Sequence, residues 1–508
     1  MPKIPKINLW AGVVLCWALV MAATVLSEAK LPSTDVFLFK EAGINFGSHG
    51  KLTAKNLPHM PQDHEFVFSY YPPVYPFCFG VWTHLVGIGL KQSLAFDALI
   101  RMLRTLLIGL FFLPWFRANR RKMIFAVSCL FILSFLSSDG DRPDELAMVW
   151  GWAAWLVAQE TTSWLGIGVS GVLLGLCGAT SPAAGVFFVL GATAIYIANR
   201  FRPLWRPALS VVVAGITFGL CNLPIYLSDP LAYARFSKQV PLSTFPYLIA
   251  WKEGKGFSGV VTSFITEMKH PVAVAGPYLF LVVTLGGYLL SYLIRRRREI
   301  PRLAIAIFCS SFLYLFLSIF IWTLQPNYLW FSGVAFVGIL SGSFFQRGRF
   351  SEGLTVAVFV VALSPLLVRE FKLYSTAWER RESDQWQTVR NEVLPLVGMN
   401  AKFAVTADQY FTFRADRQID NVIYVCDRLN EYDFVYITRY NSASLADPDP
   451  FRIPCDGNTA CFTVMHDFSD PHRYQLAGIP TSFVVKGSAG VLYHNTACPH
   501  PNALSLNP

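Results

Sequence analysis

Acidic residues stand where two predicted membrane segments leave the apolar phase. Asp35 follows the first long apolar run, residues 7–27, and Asp144 opens another apolar run after a short polar loop. A carboxylate at that depth can take a proton from an attacking hydroxyl group. We therefore select Asp35 as the candidate base and Asp144 as a second candidate acid. The alternatives are a solvated loop acid for Asp35 and an ordinary helix N-terminal acid for Asp144.

Further acidic residues stand in the same two loops. Glu41 is a weaker substitute for Asp35. Asp139 and Asp141 form an Asp-x-Asp pair whose oxygens could hold a divalent cation, although a solvated loop is the favoured interpretation. The sequence therefore assigns no metal ligand and no certain cofactor, with a divalent cation as the open alternative.

Cationic side chains at similar depth could bind a phosphate group. Asp97, Arg101 and Arg104 are spaced i, i+4, i+7, so they share one face of a helix inside an apolar segment. Ionisable residues within a membrane are costly and usually face the protein interior or a cavity. Arg101 and Arg104 could hold a phosphate, and an Asp97–Arg101 ion pair is the structural alternative. Arg235 and Lys238, in a later polar loop, could clamp the same phosphate or form a solvated surface.

The elements that must position these residues are predicted to be membrane helices. The chain has 508 residues, 54% hydrophobic and only 15% charged, with a mean hydropathy of +0.42. This composition is typical of a polytopic membrane protein. The net charge of +10 does not indicate a nucleic-acid partner, because the basic residues gather in short loops between apolar runs. The predicted spans are 7–27, 93–116, 122–138, 145–160, 163–180, 182–199, 207–227, 272–294, 303–322, 328–346 and 353–369.

Loop charge predicts the orientation. Short loops rich in Lys and Arg face the cytoplasm. The basic residues that mark such loops are Lys3, Lys6, Arg117, Arg120, Arg121, Lys122, Arg200, Arg202, Arg206, Arg295 to Arg298, Arg302, Arg347 and Arg349. The short loops assigned to the opposite side contain a single basic residue, Arg142. The acidic loops and the C-terminus are therefore expected to be extracytoplasmic.

One apolar stretch, residues 71–90, does not fit as a simple span. If it crossed the membrane, the basic cluster at 117–122 would fall outside and the acidic loop at 139–145 inside. Three prolines, His84 and several aromatic residues favour a helix lying in the outer interface. The preferred interpretation makes 28–92 one outer loop and gives eleven spans.

The C-terminal part differs in composition from the rest. We divide the chain into a transmembrane module, 1–369, with outer loops 28–92, 139–144 and 228–271, and an extracytoplasmic α/β domain, 370–508. Four short strands and one helix are predicted in that domain. They are Val422-Ile-Tyr-Val, Phe434-Val-Tyr-Ile, Phe462-Thr-Val-Met, Ser482-Phe-Val-Val and the helix from Trp378 to Leu396.

Four cysteines in this domain indicate two disulfides in an oxidising compartment. They are Cys426, Cys455, Cys461 and Cys498. Sequence does not fix the pairing, and the short loop from Cys455 to Cys461 is the favoured bridge. A zinc site is the alternative, although no CxxC spacing occurs.

Three strings of residues carry a resemblance to a known superfamily. They are Asp35-Val-Phe-Leu-Phe-Lys-Glu-Ala-Gly followed by Gly47 and Gly50, then Tyr70-Tyr71-Pro72-Pro73-Val74-Tyr75-Pro76, and then Arg142-Pro143-Asp144 before an apolar helix. Their order and predicted side resemble the outer loops of GT-C glycosyltransferases. The resemblance covers residues 7–230 in its motifs and the rest in layout. The branch it indicates contains the protein O-mannosyltransferases, the aminoarabinose transferases and the bacterial RgtA/B/C/D-like group.

The resemblance implies a GT-C-like helical membrane fold and an inverting transfer of a sugar. The donor would be a polyprenyl-phosphate-linked sugar, and the acceptor a glycan, glycolipid or protein at the extracytoplasmic face of a cell inner membrane. The resemblance implies catalytic roles for Asp35 and Asp144. The residues expected to line the substrate groove are Glu41, Tyr71, Tyr75, Gln325 and Tyr328. The aminoarabinose transferase pattern has Glu-Lys before its Pro-Pro, where this chain has Tyr70-Tyr71, so the role of that lysine is not carried over.

Two other functions stay open. An O-antigen ligase or polymerase also transfers lipid-linked sugars, but relies on Arg and His motifs in its outer loops rather than on a span-exit Asp. A transporter or flippase usually has paired halves with Gly/Pro-broken spans at matching positions, and this sequence has no such pairing. Transport of labelled substrate without covalent transfer would favour a transporter.

Overall fold

The computed structural model describes the greater part of the chain. The described residues are 6–28, 33, 35–54, 66–67, 71–116, 120–136, 142–161, 163–199, 205–230, 256–296, 301–321, 326–343, 349–380, 385–438, 453, 455, 461–468, 475–476, 479–480 and 490–496.

Helices dominate the fold, and each of the eleven predicted spans coincides with one of them. They are α1 (Lys6–Ser27), α2 (Glu41–His49), α3 (Val74–Val86), α4 (Leu90–Phe116), α5 (Arg120–Phe135), α6 (Asp144–Glu160), α7 (Trp164–Gly178), α8 (Pro182–Ala198), α9 (Trp205–Ser228), α10 (Gly256–Arg296), α11 (Arg302–Ile321), α12 (Pro326–Ser343), α13 (Arg349–Arg380), α14 (Gln385–Val397) and α15 (Tyr410–Phe413). A π-helical turn, Val36–Lys40, precedes α2 directly.

Three helical segments of the described chain are long and apolar enough, by length and composition, to cross a membrane. They are Trp205–Ser228, Gly276–Arg295 and Glu352–Phe371. Seven shorter apolar helical segments accompany them. Among these, α3 has 13 residues, whereas a crossing helix needs roughly 20.

Helix α6 lies at the centre of the bundle and contacts α4, α7 and α8. Its aromatic residues build the core: Trp152 and Trp155 are fully buried, and the ring centroids of Trp155 and Phe188 lie 4.9 Å apart. The Trp155 indole also donates a hydrogen bond of 2.7 Å to the backbone carbonyl of Phe188. This packing fixes α6, and therefore Asp144 at its first position, relative to α8.

Helices α2 and α3 pack with their backbones in contact. A Cβ atom on Gly80 would lie 2.6 Å from the carbonyl oxygen of Gly43, and one on Gly47 would lie 2.6 Å from the carbonyl oxygen of Gly80. Any larger side chain at these positions would force the helices apart. Gly43 and Gly47, which follow Asp35 in the sequence, therefore permit this close approach.

We predict that Gly80→Ala destabilises the protein by about 1–3 kcal/mol, because the new methyl group overpacks against the Gly43 carbonyl. Thermal unfolding in detergent measures this loss. The control is Gly168→Ala in α7, where a Cβ would meet nothing within 4 Å. Equal melting temperatures for the two variants would mean that α2 and α3 are free to separate.

The C-terminal domain contains a mixed five-stranded sheet. Its strands, in the order in which they pair, are β4 (Asp420–Asn421), β3 (Phe403–Val405), β5 (Phe434–Thr438), β9 (Gly490–Asn495) and β6 (Phe462–Asp467). Strand β3 pairs in parallel with β4 and β5, whereas β9 pairs antiparallel with β5 and β6. Short antiparallel pairs are formed by β1 (Thr53–Ala54) with β2 (Phe66–Val67) and by β7 (Gln475–Leu476) with β8 (Ile479–Pro480).

The predicted elements of this domain are confirmed in part. The strands at Phe434 and Phe462 are present, and the predicted helix coincides with α14 and the last turn of α13. The predicted strand at Val422 is wrong: Val422–Glu431 forms a 3₁₀ helix. The Asn421 side chain accepts a hydrogen bond from the Ile423 backbone N–H and starts this helix. The predicted strand at 482–485 lies outside the described residues.

The favoured disulfide is also wrong. Cys455 is bonded to Cys426, 29 residues away in sequence, with 5.2 Å between the Cα atoms. Cys461 is disulfide-bonded too. The 3₁₀ helix that replaces the predicted strand brings Cys426 to Cys455, which explains why loop length alone selected the wrong partner.

Peptide mapping without reductant is expected to recover a cross-linked pair of peptides containing Cys426 and Cys455. The pair should separate when reductant is added. A single peptide closed on itself between Cys455 and Cys461 would contradict the structure.

Candidate functional site

Asp35 and Asp144 come together around one guanidinium group. Arg142 Nη1 donates a hydrogen bond of 3.3 Å to Asp35 Oδ2, and Arg142 Nε donates one of 3.1 Å to Asp144 Oδ2. The side chain of Asp144 is fully buried, whereas that of Asp35 is 24% exposed. Asp35 is therefore the carboxylate that a substrate can reach. The flanking charges outweigh burial, so the pKa of Arg142 is raised and the group stays a cation.

The site lies where three helical elements begin. Asp35 precedes the π-helical turn, in which the Val36 carbonyl accepts from the Glu41 N–H, and Asp144 is the first residue of α6. Ser181 is the N-cap of α8, where Pro182 starts the helix. The Ser181 hydroxyl donates a 2.7 Å hydrogen bond to Asp144 Oδ1. We call the side of the bundle at which these helix ends meet the site face.

Aromatic side chains form the wall of the site. The Arg142 guanidinium lies 5.8 Å from the centroid of the Phe39 ring, and the Phe39 and Tyr71 rings are 5.2 Å apart in a T-shaped arrangement. The Tyr71 and Ser181 hydroxyl oxygens are 3.5 Å apart. Burial, together with the nearby Asp144 and Tyr328, raises the pKa of the Tyr71 phenol, which therefore keeps its proton. Tyr71 thus lies close to Ser181, which in turn bonds Asp144.

Lys40 connects the π-helical turn to α4. Its fully buried ammonium lies 2.9 Å from Asp97 Oδ2 and donates a 2.7 Å hydrogen bond to the Ser93 hydroxyl. It also lies 5.3 Å from the centroid of the Phe79 ring. Asp97 therefore forms its salt bridge with Lys40. Arg101 donates a hydrogen bond to the backbone carbonyl of Asp97.

Arg101 and Arg104 lie deep in the bundle. Arg101 donates to the Phe135 carbonyl at 3.1 Å and to the Thr24 hydroxyl at 3.2 Å. Arg104 forms a salt bridge with Glu145 and donates to carbonyls at the C-terminal end of α5, with its guanidinium 5.4 Å from the Trp330 ring centroid. These contacts join α4 to α1, α5, α6 and α12. Phosphate binding by the two arginines stays a prediction.

Other predicted site residues lie elsewhere. Tyr75 is 1% exposed, in an aromatic cluster with Phe79 and Phe96, and Glu41 is fully buried beside the C-terminal domain. Their roles in a groove stay predictions. Asp139, Asp141, Arg235, Lys238 and Gln325 lie outside the described residues. Within the described ranges, no group of three or more His, Cys, Asp or Glu side chains is placed to hold a metal ion.

Sequence reasoning missed three residues of this site. Lys40 follows four apolar residues and precedes Glu41, and nothing in this pattern links it to Asp97. Arg142 was the single basic residue of the outer short loops, and this isolation beside acids is a signal that it is paired. Ser181 before Pro182 indicates a helix start, but nothing in the sequence links it to Asp144.

The fold of this chain is similar to the folds of solved membrane proteins. The chain superposes on ArnT from Cupriavidus metallidurans bound to undecaprenyl phosphate with a TM-score of 0.53, 14% identity, and coverage of 96% of this chain and 99% of that one. The apo state of that ArnT gives 0.48, with 13% identity and coverage of 84% and 93%. AglB, an oligosaccharyltransferase from Archaeoglobus fulgidus, gives 0.45, with 12% identity and coverage of 84% and 69%.

The chain has a GT-C fold: a polytopic helical membrane protein with a sheet-containing C-terminal domain. The resemblance to the GT-C superfamily drawn from the sequence is thereby confirmed at the level of the fold. No protein-family profile and no curated protein matches the chain in sequence.

The Arg104–Glu145 pair yields a prediction. Arg104→Met leaves the buried Glu145 carboxylate without its cation, which typically costs about 3–5 kcal/mol. The melting temperature in detergent should fall, and Arg104→Met/Glu145→Leu should recover most of the loss because both charges are then removed. An unchanged melting temperature in the single variant would mean that Arg104 does not stabilise Glu145. Binding of polyprenyl phosphate by the double variant tests separately whether Arg104 is also a ligand of the donor phosphate.

Proposed function

We propose that this chain is an integral-membrane glycosyltransferase that moves a sugar from a polyprenyl-phosphate donor to a hydroxyl acceptor. The observation that supports it most directly is the Asp35–Arg142–Asp144 arrangement at the site face of a GT-C fold. The ArnT structure with the same fold was solved with undecaprenyl phosphate bound. A site at the ends of α6 and α8 would suit a donor whose tail stays in the membrane.

In the proposed reaction, Asp35 is the general base. The acceptor hydroxyl oxygen forms a bond to the anomeric carbon, its proton passes to the Asp35 carboxylate, and the bond from that carbon to the phosphate oxygen breaks. Polyprenyl phosphate leaves with the electron pair of the broken bond. A single displacement of this kind inverts the anomeric carbon.

Arg142 and Asp144 have different roles in this proposal. The Arg142 guanidinium is the cation nearest to Asp35 among the described residues, and its planar fork suits phosphate oxygens. Asp144, fully buried and held by Ser181, aims that guanidinium. Tyr71 and Tyr328 would contact the sugar or the acceptor, and Arg101, Arg104, Arg235 and Lys238 remain proposed ligands of the donor phosphate.

The proposal puts the reaction on the extracytoplasmic side of the inner membrane, together with the C-terminal domain. The reason is the charge of the short loops, which are basic at the opposite ends of the helices. A disulfide in the C-terminal domain agrees with an oxidising compartment. The sugar, a hexose or a pentose, and the acceptor, a glycan, glycolipid or protein, are not specified by these residues.

The test is sugar transfer by the purified chain in vesicles containing polyprenyl-phosphate-linked sugars. We predict that Asp35→Asn lowers the rate at least a hundredfold, because an amide cannot take the proton and a positioned base contributes about 10²–10⁴-fold. Glu160→Gln, an exposed acid at the far end of α6, is the control and should retain full activity.

Two results would contradict the proposal. Near-normal turnover by Asp35→Asn would remove Asp35 from the mechanism. Movement of the labelled donor across the vesicle membrane without any covalent product would instead indicate a transporter or flippase.

A further inference from the structure

One face of the helical segment that follows Asp35 is covered by the C-terminal domain. Phe37, Glu41 and Asn45 are spaced four apart, and all three are buried. The Phe37 ring lies 4.6 Å from the Tyr410 ring in an edge-on arrangement. Arg414 Nη2 donates a 2.8 Å hydrogen bond to Asn45 Oδ1. Both contacts reach from the N-terminal part of the chain to α15 or the residue that follows it.

The contact is polar as well as apolar. The Asn45 amide also donates a 2.8 Å hydrogen bond to the Thr53 carbonyl, so this side chain joins α2, β1 and the C-terminal domain. Burial, and then the Glu41 carboxylate, raises the pKa of the Tyr410 phenol. A single hydrophobic cluster includes Val36, Phe37 and Ala42 from the segment and Tyr410 and Phe413 from the domain.

From these contacts we propose that the C-terminal domain positions the candidate base, with Arg414 and Tyr410 acting as positioning residues for Asp35. The proposal rests on the proposed function only in treating Asp35 as the base. Neither Arg414 nor Tyr410 needs to touch the substrate. Their effect passes through the segment 36–45, which starts at the residue after Asp35.

The other sides of the segment show why this third contact matters. Lys40 ties one side to α4 through Asp97, and Gly43 and Gly47 hold another side against α3. These contacts hold the segment on two sides, and the contacts with Tyr410 and Arg414 hold it on a third. The Arg414–Asn45 bond lies about three helical turns from Asp35 and holds the far end of the segment.

A small displacement is enough to affect the chemistry. A misplacement of about 1 Å in a reacting group can cost on the order of a hundredfold in rate. Loss of one distant bond should displace the segment only part of the time, so the effect on turnover should be smaller, about tenfold. Binding of donor and acceptor, which depends on other groups, should change little.

Amide hydrogen exchange of the full-length chain tests the proposal directly. In Arg414→Ala, peptides covering 36–47 should exchange about tenfold faster, which corresponds to about 1.4 kcal/mol of local opening, while peptides of α4 stay unchanged. Asn45→Ala removes the same bond from the other side and serves if Arg414→Ala does not fold. The matched control is Arg390→Ala, which removes an arginine of the same domain that pairs with Asp416.

Kinetics then separate positioning from simple stabilisation. We expect Arg414→Ala to lower kcat about tenfold at unchanged KM for donor and acceptor, Arg414→Lys to restore part of it, and Arg390→Ala to leave both constants unchanged. The proposal is overturned if amide exchange in residues 36–47 of Arg414→Ala is not faster than in the wild type. It is also overturned if exchange is faster but kcat is unchanged. If the wild-type chain transfers no sugar, the proposed function fails while exchange still decides whether the domain holds the segment.

Discussion

The candidate site depends on one cation, Arg142, that lies between two carboxylates. Asp35 and Asp144 come from loops far apart in the chain, and two carboxylates that close repel each other unless a positive group intervenes. Arg142 supplies it, bonding one acid through Nη1 and the other through Nε. Since Asp144 is fully buried, its charge needs this partner and the Ser181 hydroxyl to compensate for lost hydration. Removing Arg142 would take away the guanidinium that bonds both acids, while the Ser181 hydroxyl would still bond Asp144.

The segment that carries Asp35 shows how a loop acid becomes fixed. Four apolar residues, Val36 to Phe39, are followed by Lys40, and this lysine is fully buried, so its ammonium must be paired. Asp97 on α4 supplies that pairing at 2.9 Å, and within the π-helical turn the neighbouring Phe39 lies against the Arg142 guanidinium. The glycines after Glu41 then permit the close approach of α3. The salt bridge of Lys40 and the close backbone packing at Gly43 and Gly47 therefore act on one segment, residues 36–47.

Hydropathy predicts the helices of this protein well, because long apolar runs have few alternatives to a helix in a membrane. It does not predict partners. The spacing of Asp97 and Arg101 indicated an ion pair within one helix, but the salt bridge of Asp97 goes to Lys40, a residue on another element. Likewise, Val422 to Val425 has the composition of a strand, and the Asn421 cap together with the Cys426 disulfide makes it a 3₁₀ helix. Hydropathy was therefore sufficient for the long apolar helices. It was not sufficient for Val422–Glu431, whose conformation goes with a side-chain cap and a disulfide.

The pairing of Asp35 with Arg142 sets a condition on the proposed chemistry. A carboxylate bonded to a guanidinium is a weaker base than a free one, so transfer needs that bond to weaken as the proton moves. The departing phosphate gains negative charge at the same moment and competes for the same guanidinium. A shift of Arg142 from Asp35 toward the phosphate would strengthen the base and stabilise the leaving group together. Because the guanidinium is a rigid plane, such a shift would have to turn the whole group about its Nε bond to Asp144. The buried acid would thus serve as the fixed point about which the cation exchanges partners.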